Sequence, residues 1–447
     1  MNQPRTDPTE PFETPPPLPS APTSTFSPRD TKSNSSDKCS DGFGIVPYGG
    51  TASNVLNLVS ATLGAGIVLL PASFCDSGMI GASLLLLYCF MSTVFSIFIL
   101  TLTKDKTGLR SYEEMAKGLL GNGLDYFTAF LMFVFCFGTC VGYVMSVRDL
   151  LAPVLSIKSM PEFFQSETGK SVAVACLWAV CMLPFSLPKE INALRYASAV
   201  GVLCIVFFVV CMIVHSAKNK FEGSSSGVTL VGSPLGFIRA FTFIVFAFIC
   251  QVNCLEVHAE MRHPQPRRMM RDSAFAMLIV TILYLNAGIF GYLDAGNMIR
   301  GSVLPHYQVE NIMIFGYIGI AIKLCVGFAI CIHPSRDSIY YILKWGMTSD
   351  VPVVRNRVIS AALATFALIL ALFLPQIEVV FGLLGGVCGG FLAFILPGLF
   401  YMYSGDFTFK KVGCVHYFLT YQLIIVGVGA VVFGTGAALF PCSLLAV

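Results

Sequence analysis

The chain has 447 residues, of which 55% are hydrophobic and only 12% charged, with a mean hydropathy of +0.75. A soluble domain carries about 25% charged residues, so this composition excludes a chain that faces water on all sides. The net charge of +3 comes without a basic cluster and gives no reason to expect a nucleic-acid partner.

Residues 1–45 contain "PPPLPSAPTSTFSPRDTKSNSSDKCSD" and almost no large apolar side chains. Such a segment buries too little surface to fold, and it lacks the apolar core of a signal peptide. It is expected to be a disordered tail, open to kinases. From there, uncharged windows recur at Gly42–Cys75, Ser77–Thr103, Tyr126–Val147, Ser171–Pro188, Tyr196–Ala217 and Ala240–Leu255. They continue at Ser273–Leu293, Val358–Ile377, Val379–Gly405 and Val412–Val447, and Asn311–Ser335 is interrupted only by Lys323. Most approach the roughly 20 apolar residues that a spanning helix needs. The fold class is therefore an all-α polytopic membrane protein with eleven spans over residues 46–447.

Most cations between spans fall on one side: Lys104, Lys106, Arg110 and Lys117, then Lys189 and Arg195, then Arg262, Arg267, Arg268 and Arg271. Arg336, Lys344, Arg355, Arg357, Lys410 and Lys411 complete that side, against Arg148, Lys158, Lys170, Lys218, Lys220 and Arg300 on the other. The positive-inside rule then puts the N-terminus in the cytoplasm and the C-terminus outside, with the plasma membrane as the expected location.

Chemistry is sought within the spans, because no loop is long enough for a folded domain. The first window carries "SATLGAGIVLLP". Gly64 and Gly66 are read either as close-packing residues or as a helix break whose freed N–H groups bind an anion. Lys323 lies centrally in its span, where an ammonium is costly; it is either a structural tether or a transport-linked group. In the sixth helix, "FAFICQVNCLEVHAEMRHP" (Phe246–Pro264), Asn253 and Glu256 lie three apart. Glu256 is read as a neutraliser of a cationic substrate, a partner of Lys323 or an interfacial carboxylate. Phe246, Phe248 and Tyr143 are read as packing residues or as substrate contacts. The six histidines and sixteen cysteines show no metal-ligand spacing, and there is no nucleophile elbow or phosphate loop. No catalytic residue, metal or cofactor is expected.

Three stretches, "GAGIVLLP" (Gly64–Pro71), "EMRHP" (Glu260–Pro264) and "HPSRDSIY" (His333–Tyr340), resemble motifs of the amino acid/auxin permease family within the amino acid–polyamine–organocation superfamily. The overall look is similar to the amino acid permeases of trypanosomatid parasites. The resemblance implies a leucine-transporter-type inverted-repeat bundle, 5+5 helices plus an eleventh, with helices 1 and 6 broken around an amino acid substrate. It also implies that Ser60, Thr62, Leu63, Gly64, Ala65, Gly66 and Ile67 receive the substrate's carboxylate and amino group. Phe246, Phe248, Cys250 and Asn253 would complete the pocket, although helix 6 has no glycine at its break. Sodium-coupled relatives tend to have Asn where this chain has Ser60, and Lys323 falls where helix 8 would help hold sodium. The expectation is a proton-coupled or uncoupled amino acid transporter, with arginine and lysine slightly favoured through Glu256. The alternative is a membrane amino acid sensor signalling through its tail.

Overall fold

The computed structural model describes residues 49–157, 160–188, 194–219, 227–299, 301–307, 311–346, 351–374, 376–405 and 407–439. The tail 1–45 and the loop cations Lys158, Lys189, Lys220 and Arg300 lie outside these residues, as does the side chain of Arg195. Among the described residues all regular structure is helical.

Ten stretches are long and apolar enough to cross a membrane, and the first, Ala65–Thr107, has 43 residues. As one straight helix it would reach about 65 Å, twice the ~30 Å of hydrocarbon. It turns instead at Gly78, where φ is 77° and ψ 166°. Glycine is required there both by its positive φ and by space, because a Cβ would lie 2.6 Å from the carbonyl oxygen of Leu230. The N–H groups released at the turn donate to the loop before the sixth span: Met79 to Thr229 (3.1 Å) and Ile80 to Leu230 (3.0 Å). The stretch is thus two legs, 65–77 (α1b) and 79–107 (α2). The preceding helix Thr51–Thr62 (α1a) is too short to span alone and completes the first pass with α1b. Counted this way the expected eleven passes are present.

The others are α3 (Leu124–Leu155), α4 (Glu167–Ser186), α5 (Leu194–Lys218), α6a (Pro234–Phe248) and α6b (Gln251–Glu260). They are followed by α7 (Pro266–Ala295), α8 (Asn311–Ile342), α9 (Val353–Phe373), α10 (Ile377–Tyr403) and α11 (Cys414–Leu439). Local chemistry marks their ends. Ser233 caps α6a by accepting from the N–H of Gly236 (3.0 Å), and Pro234 and Pro266 occupy first-turn positions. Gly108 closes α2 in the left-handed region behind Lys104 and Lys106.

The bundle is apolar outside as well as inside. Leu84, Leu87 and Met91 on α2, Leu203, Phe207 and Val210 on α5, and Phe275, Leu278 and Ile282 on α7 are exposed at helical spacing. In water such stripes would aggregate; in a bilayer they face lipid. Inside, α8 packs along α3 and α5, while α6a and α7 pack along the α1b–α2 run. One buried polar pair joins α5 to α7, with His215 Nδ1 2.6 Å from Asp294 Oδ2.

Candidate functional site

Two helices break near their middles. Between α1a and α1b, Leu63 is extended (φ −70°, ψ 106°) and Gly64 has φ −145° and ψ −149°. Between α6a and α6b, Ile249 is extended (φ −69°, ψ 107°) and Cys250 has φ −133° and ψ 0°. All four φ values are negative, so none requires glycine, which is why the second break carries no glycine to announce it. The glycines of the first break serve close approach. A Cβ on Gly64 would lie 2.6 Å from Tyr143 Oη, and one on Gly66 would lie 2.8 Å from the Cβ of Ala247 on α6a. Break and packing, the two readings open from the sequence, therefore coincide.

Breaking a helix frees backbone groups that an apolar interior cannot solvate. Side chains of α7 and α8 take up several. The Tyr284 hydroxyl lies between the carbonyl oxygens of Thr62 (3.0 Å) and Ala247 (2.9 Å), bridging the ends of α1a and α6a. The Lys323 ammonium, 1% exposed, donates to Ser60 O (2.8 Å) and Ser60 Oγ (3.1 Å). The Thr62 hydroxyl turns back to Leu58 O (2.7 Å). Among the described residues, the N–H groups of Gly64, Ala65 and Gly66 have no hydrogen-bond acceptor and the Ala61 carbonyl has no donor.

These groups border a cavity of ≈ 60 Å³. Of the residues singled out in the sequence, Ser60, Thr62, Gly64, Ala65, Gly66, Tyr143, Phe246, Asn253 and Lys323 line it. Leu63, Ile67, Phe248, Cys250 and Glu256 do not. Leu63 and Ile67 are buried in the packing around the break, and Phe248 sits edge-on against Tyr284. Cys250 is buried at the second break, its N–H donating to Gln251 Oε1 (3.0 Å). Glu256 is exposed on α6b. It lies one turn beyond Asn253, about 4.5 Å further along the axis, and does not line the cavity. Among the described residues, the one charged side chain on the cavity wall is Lys323.

Sequence reasoning missed the opposite wall. Phe135, Cys136 and Thr139 join Tyr143 from α3, and Gly327, Ile330, Cys331 and Pro334 join Lys323 from α8. Both sets follow helical spacing from a residue already singled out, a signal available in the sequence. Gly327 admits the Tyr143 ring, since a Cβ there would lie 2.8 Å from both Oη and Cζ. Tyr284 carried no signal, because a tyrosine in an apolar span reads as ordinary packing. Among the described residues no group of His, Cys, Asp and Glu could hold a metal ion.

Residues 48–440 match the family described as "Transmembrane amino acid transporter protein". The chain belongs to this family. It is 27% identical to Vacuolar amino acid transporter 5 of Schizosaccharomyces pombe over 79% of this chain and 85% of the relative. It is 29% identical to Sodium-coupled neutral amino acid transporter 7 of Xenopus laevis over 86% and 89%, respectively. Among solved structures, MhsT in complex with L-phenylalanine aligns with a TM-score of 0.61 at 11% identity, covering 88% of this chain and 99% of that one. A Na+-coupled sialic acid symporter aligns with a TM-score of 0.53 at 16% identity, covering 89% and 91%. The fold is accordingly the leucine-transporter-type bundle that the sequence motifs implied, and the family is one of multi-pass amino acid transporters rather than enzymes.

Proposed function

We propose that this protein is a secondary transporter that carries neutral amino acids by alternating access, holding the substrate's zwitterionic end between the two helix breaks. The observation that carries this reading is the set of backbone groups left on the cavity edge. The N–H groups of Gly64, Ala65 and Gly66 stand at the positive end of α1b and suit a carboxylate. The Ala61 carbonyl stands at the negative end of α1a and suits an ammonium. Broken helices at the bilayer midplane are the usual setting for such sites. A preference for arginine or lysine rested on Glu256, which does not line the cavity; the Lys323 ammonium on the wall opposes a cationic side chain.

Lys323 also supports transport without sodium. Its ammonium bridges α8 to Ser60 at the end of α1a, where a bound cation would otherwise hold the two helices together. Proton-coupled or uncoupled exchange follows, and the basic loops support a cytoplasmic N-terminus. The vacuolar relative favours an organellar membrane over the plasma membrane, which imaging of a tagged chain decides.

The test is uptake of labelled amino acids into proteoliposomes holding the purified chain, with sodium replaced by choline across a pH series. Uptake of neutral amino acids in choline is expected, with competition by neutral rather than cationic species. Strict sodium dependence would overturn the role given to Lys323. Absence of uptake for every common amino acid in a folded, reconstituted chain would overturn the transporter reading.

A further inference from the structure

A second cavity flanks the broken helices, separate from the one between the breaks. It has a volume of ≈ 330 Å³ and lies where α1a begins, α6b ends and α7 begins. Three guanidinium groups, Arg262, Arg268 and Arg271, and the imidazole of His263 line it. The one carboxylate there, Asp272, is 1% exposed, and both its oxygens are engaged. Oδ2 accepts from Asn54 Nδ2 (3.0 Å) and Oδ1 accepts from Arg271 Nη2 (3.0 Å). Arg271 Nη2 also donates to Thr51 Oγ1 (2.8 Å). Asp272 is therefore spent on tying α1a to α7, and among the described residues lining the cavity the cationic side chains outnumber this one carboxylate.

Its geometry adds to that charge. Gly50, the N-cap of α1a, offers no side chain to the first-turn N–H groups, so the positive end of a 12-residue helix opens toward the same space. The backbone is pinned around it: the N–H of Arg262 donates to Gly49 O (3.1 Å), and Gly49 has a φ of 68° with no room for a Cβ beside Glu260 O. Arg262, His263 and Arg268 are exposed at the mouth, so the space is reachable from outside the bundle. Planar guanidinium forks are suited to paired hydrogen bonds with phosphate oxygens. Basic pockets between membrane helices at the headgroup level bind phosphorylated lipid heads.

We propose that this cavity binds a phosphomonoester dianion, presented either by an inositol phospholipid headgroup or by a soluble phosphate ester. Bound there, it bridges the start of α1a, the end of α6b and the start of α7. These are the outer ends of both broken helices, so occupancy biases whether α1a can swing away from α7.

The test uses the full-length chain in detergent and in vesicles. In detergent, thermal unfolding is followed with inorganic phosphate and with inositol trisphosphate, at ionic strength fixed with chloride; a ligand of the folded state raises the midpoint by mass action. In the second arm, uptake and unfolding are compared in phosphatidylcholine vesicles with added phosphatidylinositol phosphate or added phosphatidylserine. The variants are Arg268→Gln and Arg262→Gln, alone and together, with Arg267→Gln as a control of equal charge change outside the lining. Stabilisation by inositol trisphosphate in detergent, with no further effect of phosphatidylinositol phosphate in vesicles, supports a soluble ester. Stabilisation confined to phosphatidylinositol phosphate vesicles supports the lipid headgroup. In either case the double variant is expected to weaken binding at least about tenfold, with Arg267→Gln unchanged. The proposal is overturned if neither arm shows stabilisation, if the double variant keeps it, or if phosphatidylserine or Arg267→Gln has the same effect. Substrate uptake by the double variant in phosphatidylcholine alone separates this outcome from failure of the transporter reading.

Discussion

The contact between Gly64 and Tyr143 offers a sharp test of how the first break is held. Gly64→Ala adds one methyl at a position whose φ of −145° any residue accepts, so the cost is steric alone. That methyl would lie 2.6 Å from Tyr143 Oη, with Cζ at 3.5 Å and Cε1 at 3.7 Å behind it. Overpacking of this kind costs about 1–3 kcal/mol, which predicts a fall of about 5- to 150-fold in substrate affinity if the break must shift to bind. Tyr143→Phe removes the clashing atom and leaves only ordinary van der Waals neighbours. The double variant is therefore expected to recover much of the loss, with a coupling energy of about 1 kcal/mol or more. Gly327→Ala supplies the contrast. A Cβ there meets Cζ at 2.8 Å and Cε1 at 3.1 Å as well as the hydroxyl, so Tyr143→Phe should not rescue it. Affinity by scintillation proximity and unfolding midpoints are measured for all five variants. Additive effects in the Gly64/Tyr143 cycle, or equal rescue of Gly327→Ala, would refute the steric account.

Three further outcomes follow from the geometry. Tyr284→Phe leaves the carbonyls of Thr62 and Ala247 without their bridging hydroxyl; a loss of about 1–3 kcal/mol is expected in unfolding, with a larger fall in uptake than any fall in expression. Asp294→Leu removes the buried carboxylate beside His215 Nδ1, leaving the ring only Asn219 Nδ2 (3.2 Å from Nε2), and should cost about 1–3 kcal/mol, much of which the double change with His215→Leu should restore. Glu113, in the segment between α2 and α3, has its carboxyl pushed above the usual range by burial, aided by the neighbouring Glu114 and Asp337 carboxylates. A raised folded-state value means stability is full below the ordinary carboxylate range and is lost as pH rises through the folded value. Glu113→Gln should match the wild type in acid and unfold at a higher temperature near neutral pH.

The spans were legible because a bilayer imposes a composition that few other settings demand, and the fold followed from three short motifs in the right order. The site was legible in part. Lys323 and the GxG pair stand out because a charge and two glycines are costly in an apolar helix. The second break did not stand out, since Ile249 and Cys250 adopt negative φ values open to any residue. Spacing of three places Asn253 and Glu256 on one face but not at one depth; Asn253 lines the cavity and Glu256 lies a turn beyond it. The division between the first two passes was legible, because Asp76 separates the windows Gly42–Cys75 and Ser77–Thr103, and the turn itself lies at Gly78, whose φ is positive.

On the proposed reading, the backbone groups freed by the two breaks divide between the protein and its substrate. Helices that do not break do the holding: Lys323 from α8 takes Ser60 O, and Tyr284 from α7 takes the carbonyls of Thr62 and Ala247. At the first break, among the described residues that line the cavity, they leave the Ala61 carbonyl as an acceptor and the N–H groups of residues 64–66 as donors. An α-amino acid presents the complement, an ammonium and a carboxylate separated by one carbon. Backbone groups meet that end identically for every amino acid, so discrimination has to come from the wall facing the variable side chain. There the residues are Phe135, Thr139, Ile330 and Cys331, apolar or weakly polar and without an acid. A guanidinium or ammonium entering that space would lose its water with no carboxylate to replace it, beside a lysine already committed to Ser60. On the proposed reading, exclusion of cationic side chains would follow from the same arrangement that holds the first helix open.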